Sequence, residues 1–302
     1  MEELNARIND LKRRLNAVIL VHNYQVEAVQ LAADHLGDSL GLSRIAAEAE
    51  ADVIVFCGVK FMAETAKILS PKKTVLLPRL DAGCPMADMI TVDDLRDLKA
   101  RHPDARVVTY VNSSAEIKAE SDVCCTSANA VEVVRNVEGR QVIFVPDRNL
   151  GAWAARQVPE KEVILFEGYC YVHDRIRRDE VTAARRTHPG AEVLVHPEAR
   201  MEVLEIADAV CSTGGMLRHV AASQAEEFIV VTEEGLLDRL RREYPDRGFF
   251  PAGRPKICSN MKRTSLEDVV KAMELNRYEI EIDAGTSSRA EGALRRMLDY
   301  SG

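Results

Sequence analysis

The chain has 302 residues and a mild formal charge of −8, with acidic and basic side chains well mixed along it. No dense basic stripe suits nucleic acid, and no apolar run approaches the ~20 residues that span a bilayer. Seven cysteines without a secretion signal speak against a disulfide framework, so the chain is expected to be cytoplasmic, with neither nucleic acid nor membrane as partner.

The chain opens on a charged helical stretch, Glu2 to Leu15, unlike a signal peptide. An apolar strand, Val18–Tyr24, then ends in His22-Asn23-Tyr24. After extra helical sequence (Gln25 to Glu50), an acidic residue opens a second strand, Asp52–Gly58. A third follows at Thr74–Pro78, and the segment closes on Cys84. The same order returns with Val107–Ser113, Asp122–Ser127 and Gln141–Val145, closing on Cys170. It returns again with Glu192–Glu198, Asp208–Thr213 and Glu227–Val231, closing on Cys258. A fourth strand, Glu162–Phe166, is evident in the second copy and is not expected in the first. The three cysteines stand 86 and 88 residues apart.

A period of this kind sets the architecture. Short apolar runs alternating with helical stretches imply parallel strands covered by helices. The expected fold is α/β: three repeated small parallel-sheet, Rossmann-like αβα units around a pseudo-threefold axis. The units run 1–84, 85–170 and 171–264, with the C-terminal segment 265–302 packing on the first. That tail carries helical sequence at Ser265–Leu275 and Ser288–Tyr300. The short basic runs Arg175–Arg178, Arg185-Arg186 and Lys262-Arg263 read as solvated helix faces.

Cys57, Cys124, Cys125 and Cys211 lie in apolar runs and read as small buried hydrophobes. Cys84, Cys170 and Cys258 follow glycine or polar neighbours at strand ends, where α/β sheets place ligands. None has a Cys-x-x-Cys partner, and structural zinc usually takes four ligands, often closely paired. Three thiolates with one coordination position open suit a [4Fe–4S] cluster, whose vacant iron can act as a Lewis acid. Spacing alone leaves zinc possible.

The first strands end in His22-Asn23-Tyr24, Tyr110-Val111-Asn112 and His196-Pro197-Glu198. Around a common axis these ends line one cavity with the cysteines. Histidine, tyrosine and glutamate there can trade protons; Glu198 is the candidate general base and Tyr24 the candidate acid or relay. Ser127 and Thr213 end second strands and open helices, and Ser39 can cap a helix over Leu40–Glu48. Such hydroxyls with free backbone N–H groups bind phosphate or carboxylate. Gly214-Gly215 would let the backbone approach a ligand. His173, three residues after Cys170, reads as a neighbour of the metal, a group approaching its open position, or a plain helix-start histidine.

Together with Gly37–Ser43, Gly58–Thr65, Phe144–Leu150 and Ser212–Gly215, the stretches His22–Gln25, Tyr110–Asn112 and His196–Glu198 make the whole chain resemble quinolinate synthase, the A protein of NAD biosynthesis. The tail from Lys256 to Lys262 resembles the shorter branch of that family, with one candidate ligand per unit. The resemblance implies a triangular arrangement and a [4Fe–4S] cluster on Cys84, Cys170 and Cys258 with one iron free. It implies condensation of iminoaspartate with dihydroxyacetone phosphate to quinolinate, with loss of phosphate and two waters. His22, Ser39, Tyr110, Asn112, Ser127, His196, Glu198 and Thr213 would then bind the acidic substrates. Tyr24, Glu198, His173, His22 and His196 would serve catalysis. An aspartate oxidase or dehydrogenase would supply iminoaspartate. Two other readings remain open on the residues: a redox enzyme with one cysteine per unit on its cluster, and an iron–sulfur sensor.

Overall fold

The structure, a computed structural model, describes residues 2–300. It contains three four-stranded sheets, each wholly parallel. The first comprises β1 (Ala17–His22), β2 (His35–Gly37), β3 (Val53–Cys57) and β4 (Thr74–Leu76). The second comprises β5 (Arg106–Tyr110), β6 (Val123–Cys125), β7 (Gln141–Val145) and β8 (Glu162–Leu165). The third comprises β9 (Glu192–Val195), β10 (Ala209–Val210), β11 (Glu227–Val231) and β12 (Gly248–Pro251). In every sheet the second strand is at the edge, the first and third are central, and the fourth closes the far side. Central strands such as Val53–Cys57 and Glu227–Val231 are fully buried after their first residue, as helices on both faces require.

The repeat is tighter than the apolar runs suggested. Strand starts in successive units fall 88 and then 86 residues apart, as in Val53, Gln141 and Glu227. This corrects the expected alignment of the first unit. Its second strand is the three-residue His35–Gly37; the strand opening near Asp52 is the third, and the one at Thr74 is the fourth. The first unit therefore has its fourth strand. The repeated acid is also displaced: it is Asp34, not Asp52, that corresponds to Asp122 and Asp208. Each of the three accepts the backbone N–H of the central strand residue fifteen positions earlier, Ile19, Val107 and Val193, at 2.8, 2.7 and 2.8 Å. This bond ties the edge strand to the centre without needing a long apolar run.

The helix Leu266–Leu275 packs on the N-terminal helix Glu2–Leu15 and on β3, whereas Ala284–Asp299 lies against Lys60–Leu69 in the first unit and Ala115–Ala119 and β6 in the second. Among the described residues no helix is long and apolar enough to cross a membrane.

Candidate active site at the junction of three units

The C-terminal ends of the first strands and the three cysteine loops meet at one cavity with roughly 710 Å³ of open space including its mouth. All thirteen residues singled out above line it: His22, Tyr24 and Ser39 with Cys84, Tyr110, Asn112 and Ser127 with Cys170 and His173, and His196, Glu198 and Thr213 with Cys258. The repeat offset explains their meeting. His22, Tyr110 and His196 occupy one position of it; Tyr24, Asn112 and Glu198 the position two residues on; Ser39, Ser127 and Thr213 a third.

Each cysteine loop is built alike. The thiol of Cys84 accepts backbone N–H groups of Met86 and Ala87, that of Cys170 from His173, and that of Cys258 from Asn260 and Met261. N–H groups two or three residues onward thus point at the sulfur, which favours a thiolate. Burial works the other way and pushes the Cys84 thiol up to about 12 and the other two above their ordinary value. Thiols in this state keep their protons near neutral pH unless a metal ion replaces them. The other four cysteines pack in apolar surroundings, Cys57, Cys124 and Cys125 without exposure.

The polar centre is a continuous network. Tyr24 Oη lies 2.6 Å from Thr232 Oγ1, and Thr232 Oγ1 lies 2.9 Å from His173 Nε2. The opposite ring nitrogen, Nδ1, lies 2.7 Å from Glu198 Oε2 and 3.3 Å from Cys170 Sγ. His196 stacks on His173 at 4.5 Å between ring centroids, and its Nδ1 is 3.4 Å from Glu198. Tyr110 hydrogen-bonds Glu198 as well. Burial opposes ionisation of Glu198, but His173, His196 and Tyr110 outweigh it and hold the carboxyl well below the usual carboxylate range. Burial lowers His22 to about 4 and, with His173 beside it, His196 to about 3. Both rings are therefore neutral near pH 7. Burial and the Glu198 charge raise Tyr24 and Tyr110, so both phenols keep their protons. The site thus combines a buried carboxylate with protonated phenols and neutral imidazoles, a set able to remove and return protons.

Several local expectations need correction. Ser39 does not cap its helix, whereas Thr213 opens its helix as expected; each is the first helical residue, and Asp38 and Ser212 one position earlier accept the N–H of Gly41 and Gly215 at 2.9 and 3.1 Å. This leaves the hydroxyls of Ser39 and Thr213 on the cavity wall. Ser127 stands in a turn, and its helix begins only at Ala130. Ser127 Oγ instead pairs with His196 Nε2 at 3.2 Å. Gly214 brings two units together: a Cβ there would lie 2.4 Å from Asp38 Oδ2. Lys262 is not on a solvated face. Its Nζ donates to the Tyr24 carbonyl at 2.7 Å and pairs with the buried Glu233 at 3.2 Å.

Thr232, Glu233, Asp147 and Lys262 are the residues that reading the sequence missed. The constant offset is the signal that would have found two of them, because Glu233 and Asp147 occupy one repeat position just past their third strands.

The family described as Quinolinate synthetase A protein matches residues 6–299. The chain belongs to the quinolinate synthase family. It is 50% identical over 301 residues to the quinolinate synthase of Caldicellulosiruptor saccharolyticus, covering 100% of this chain and 99% of that one. It is 51% identical over 288 residues to that of Thermodesulfovibrio yellowstonii, covering 95% of each. It is 52% identical over 295 residues to that of Methanoregula boonei, covering 98% and 97%. Membership in the quinolinate synthase family thus spans all three units, including every cysteine loop.

Proposed function

We propose that this protein is a quinolinate synthase of NAD biosynthesis that condenses iminoaspartate with dihydroxyacetone phosphate, releasing phosphate and two waters as the pyridine ring closes. The observation that carries the reading is the meeting of three thiols, one from each unit, with hydroxyls, imidazoles and the Glu198 carboxylate in a single cavity. The atoms balance without an oxidant or reductant, so the reading asks for acid–base chemistry and charge stabilisation rather than electron transfer.

The donor set fits a [4Fe–4S] cluster. Three soft thiols face one cavity, each sulfur already receives backbone N–H, and no fourth cysteine among the described residues lines the cavity. Cys84, Cys170 and Cys258 would hold it, and the iron left without a cysteine would supply a Lewis acid for an oxygen that must leave or be polarised. The rest is the chain's own work. Both substrates are acidic, and Ser39, Ser127 and Thr213 offer hydroxyls around the wall while neutral His22 and His196 can donate one hydrogen bond each. Ionised Glu198 takes a proton in isomerisation and dehydration. Tyr24 returns one, and its link through Thr232 to His173 passes the charge change to Glu198. Asn112 Oδ1 is buried without a hydrogen-bond partner among the described residues and accepts from a substrate N–H or O–H. An aspartate oxidase or dehydrogenase supplies the imine in the cytoplasm.

Anaerobic purification, iron and sulfide analysis and a quinolinate assay without reductant test this. About four irons per chain, lost in Cys84→Ser, with quinolinate formed from the two substrates, is the expected result. Zinc or no metal, or a need for an electron donor, would sink it. Glu198→Gln at full turnover would remove Glu198 as the base.

A further inference from the structure

Behind the cavity wall, the Thr213 hydroxyl is held by two side chains that do not line the cavity. Asn23 Nδ2 donates to Thr213 Oγ1 at 2.8 Å, and Arg239 Nη1 donates to Asn23 Oδ1 at 2.6 Å and to the Leu36 carbonyl at 3.0 Å. We infer that Asn23 and Arg239 are positioning residues: together they fix the Thr213 hydroxyl as a hydrogen-bond donor toward the cavity, where it meets a carboxylate or phosphate oxygen of the substrates.

The direction of each bond follows from the groups available. A guanidinium donates and never accepts, so the amide edge that meets Arg239 is the oxygen. The opposite edge, an NH₂ group that only donates, then faces Thr213. A hydroxyl carries a single proton. With Asn23 donating to Oγ1, that proton is excluded from the same line and turns elsewhere. Among the described residues nothing accepts it, and Thr213 lines the cavity together with His22 and Ser39. Arg239 Nε is itself fixed by Glu243 Oε1 at 2.7 Å, and Asn23 is fully buried, so the two side chains hold one arrangement.

The repeat shows that this pair is an addition to the fold and not part of its plan. Thr213 has Ser39 and Ser127 as counterparts, all hydroxyls, but Asn23 has Val111 and Pro197, and Arg239 has Thr65 and Trp153. Neither of the other units can build the relay. Ser127, without such an amide, pairs with His196 Nε2 at 3.2 Å instead. In the relay, an amide of the first unit is clamped between two helices of the third, Thr213–Ala222 and Gly235–Glu243. A buried amide left without partners is costly, so docking of the first unit on the third and orientation of the hydroxyl go together. A fixed donor favours an anionic oxygen over a group that can only donate. That the anion is an acidic substrate of the proposed condensation is the one point at which the inference rests on that reading.

The test is calorimetric titration of the metal-loaded full chain, purified anaerobically, with succinate and glycerol 3-phosphate as the carboxylate and phosphate probes. Thr213→Val should weaken one probe about tenfold or more, as loss of a hydrogen bond to a charged group does, and which probe suffers names the anion. Asn23→Asp keeps its bond to Arg239, and with it the fold, but accepts the Thr213 proton. It should match the loss in Thr213→Val, and the double variant should lose no more than either single one. A carboxylate that merely repelled the anion would act undiminished in the Thr213→Val background. Arg239→Met frees the amide to turn and should cost about threefold or more, whereas Arg239→Lys keeps a donor and should cost less than about twofold. In turnover, the KM of one substrate should rise while kcat stays within about twofold. Additive losses in Asn23→Asp and Thr213→Val overturn the inference. So does normal binding of both probes by Thr213→Val, equal behaviour of the two Arg239 variants, or a wild-type chain that binds neither probe. Coupled losses without quinolinate formation would fail the synthase reading alone, and turnover with additive losses would fail only this inference.

Discussion

The cysteine loop of the first unit and those of the other two are held differently. All three share a backbone tie, in which Lys60, Arg148 and Glu234 donate N–H to the carbonyls of Ala82, Gly168 and Lys256, two residues before each cysteine, at 2.8, 2.9 and 3.0 Å. In the second and third units a buried carboxylate adds a second grip. Asp147 Oδ2 accepts the Cys170 N–H at 3.2 Å, and Glu233 Oε1 accepts the Cys258 N–H at 3.1 Å. The same repeat position in the first unit is Val59, which lines the cavity wall. Main-chain bonds cost no desolvated charge and are kept in every copy. A buried carboxylate is kept only where other groups offset its burial. Asp147 also caps the helix Arg148–Gln157 through Leu150 N–H at 2.8 Å. Glu233 accepts the Gly235 N–H at 2.7 Å and faces Lys262.

The most disruptive way to break this comparison is Glu233→Ala. It leaves the N–H groups of Gly235 and Cys258 without acceptors and strands Lys262 beside the Tyr24 carbonyl. Removing one side of a buried charge pair costs about 3 kcal/mol or more, read as a lower urea midpoint in the metal-free chain. Iron release to a chelator from the loaded protein should also accelerate. Glu233→Gln keeps an acceptor oxygen for Cys258 and should retain iron better than the alanine variant. If the two variants behaved alike, the grip on Cys258 would not be the cause.

Asp147→Ser separates two duties within one residue. Serine is a good helix cap and can still take the Leu150 N–H, but it is too short to reach the Cys170 N–H as well. Metal-free stability should fall by only about 1 kcal/mol, the net worth of one hydrogen bond. Iron release should quicken by roughly the corresponding factor, about fivefold. Unchanged release kinetics would reduce Asp147 to a helix cap.

The sequence made the three cysteines and the strand-end residues legible because apolar runs point at them and each recurs. It hid β2, because three residues beginning with an exposed histidine carry no apolar signature and the tie through Asp34 does the work instead. That slip moved the first unit's alignment by one strand and concealed that Val59 is the counterpart of Asp147 and Glu233. Thr232 and Glu233 lie just past the strand Glu227–Val231, outside every stretch singled out in the sequence, and Lys262 reads as a surface charge. The roles of Thr232 and Lys262 depend on contacts to Tyr24, more than two hundred positions earlier, that no local pattern encodes.

Strand ends carry the comparison into pH. His22 and His196 occupy the position that Tyr110 fills in the second unit, so only the first and third units contribute a buried imidazole there. Burial, the leading cause, depresses both rings, to about 4 and about 3, below the ordinary 6.5. The unfolded chain therefore takes up these protons first as pH falls. Stability from the two rings is complete above pH 6.5 and is lost progressively between 6.5 and about 3. Within the first unit below 6.5 the loss is about 1 kcal/mol per histidine. Urea midpoints of the metal-free chain at pH 7.5 and about 5.5 should show this decline, and His22→Asn should flatten it by about half. An unchanged slope would mean that His22 is not held neutral by burial.

The mildest consequence concerns the thiols themselves. With no carboxylate on its backbone, the Cys84 loop should open more readily than the loops of Cys170 and Cys258, all three being partly exposed in the metal-free chain. One lost hydrogen bond of about 1 kcal/mol corresponds to a severalfold difference in opening. Brief treatment with iodoacetamide and peptide mass analysis should find Cys84 alkylated first. Asp147→Ser should raise the rate at Cys170 toward that of Cys84 and leave Cys258 unaffected. Equal rates at all three cysteines would mean that the backbone tie alone sets loop opening, and that the carboxylates of the second and third units act only on the helices and the lysine beside them.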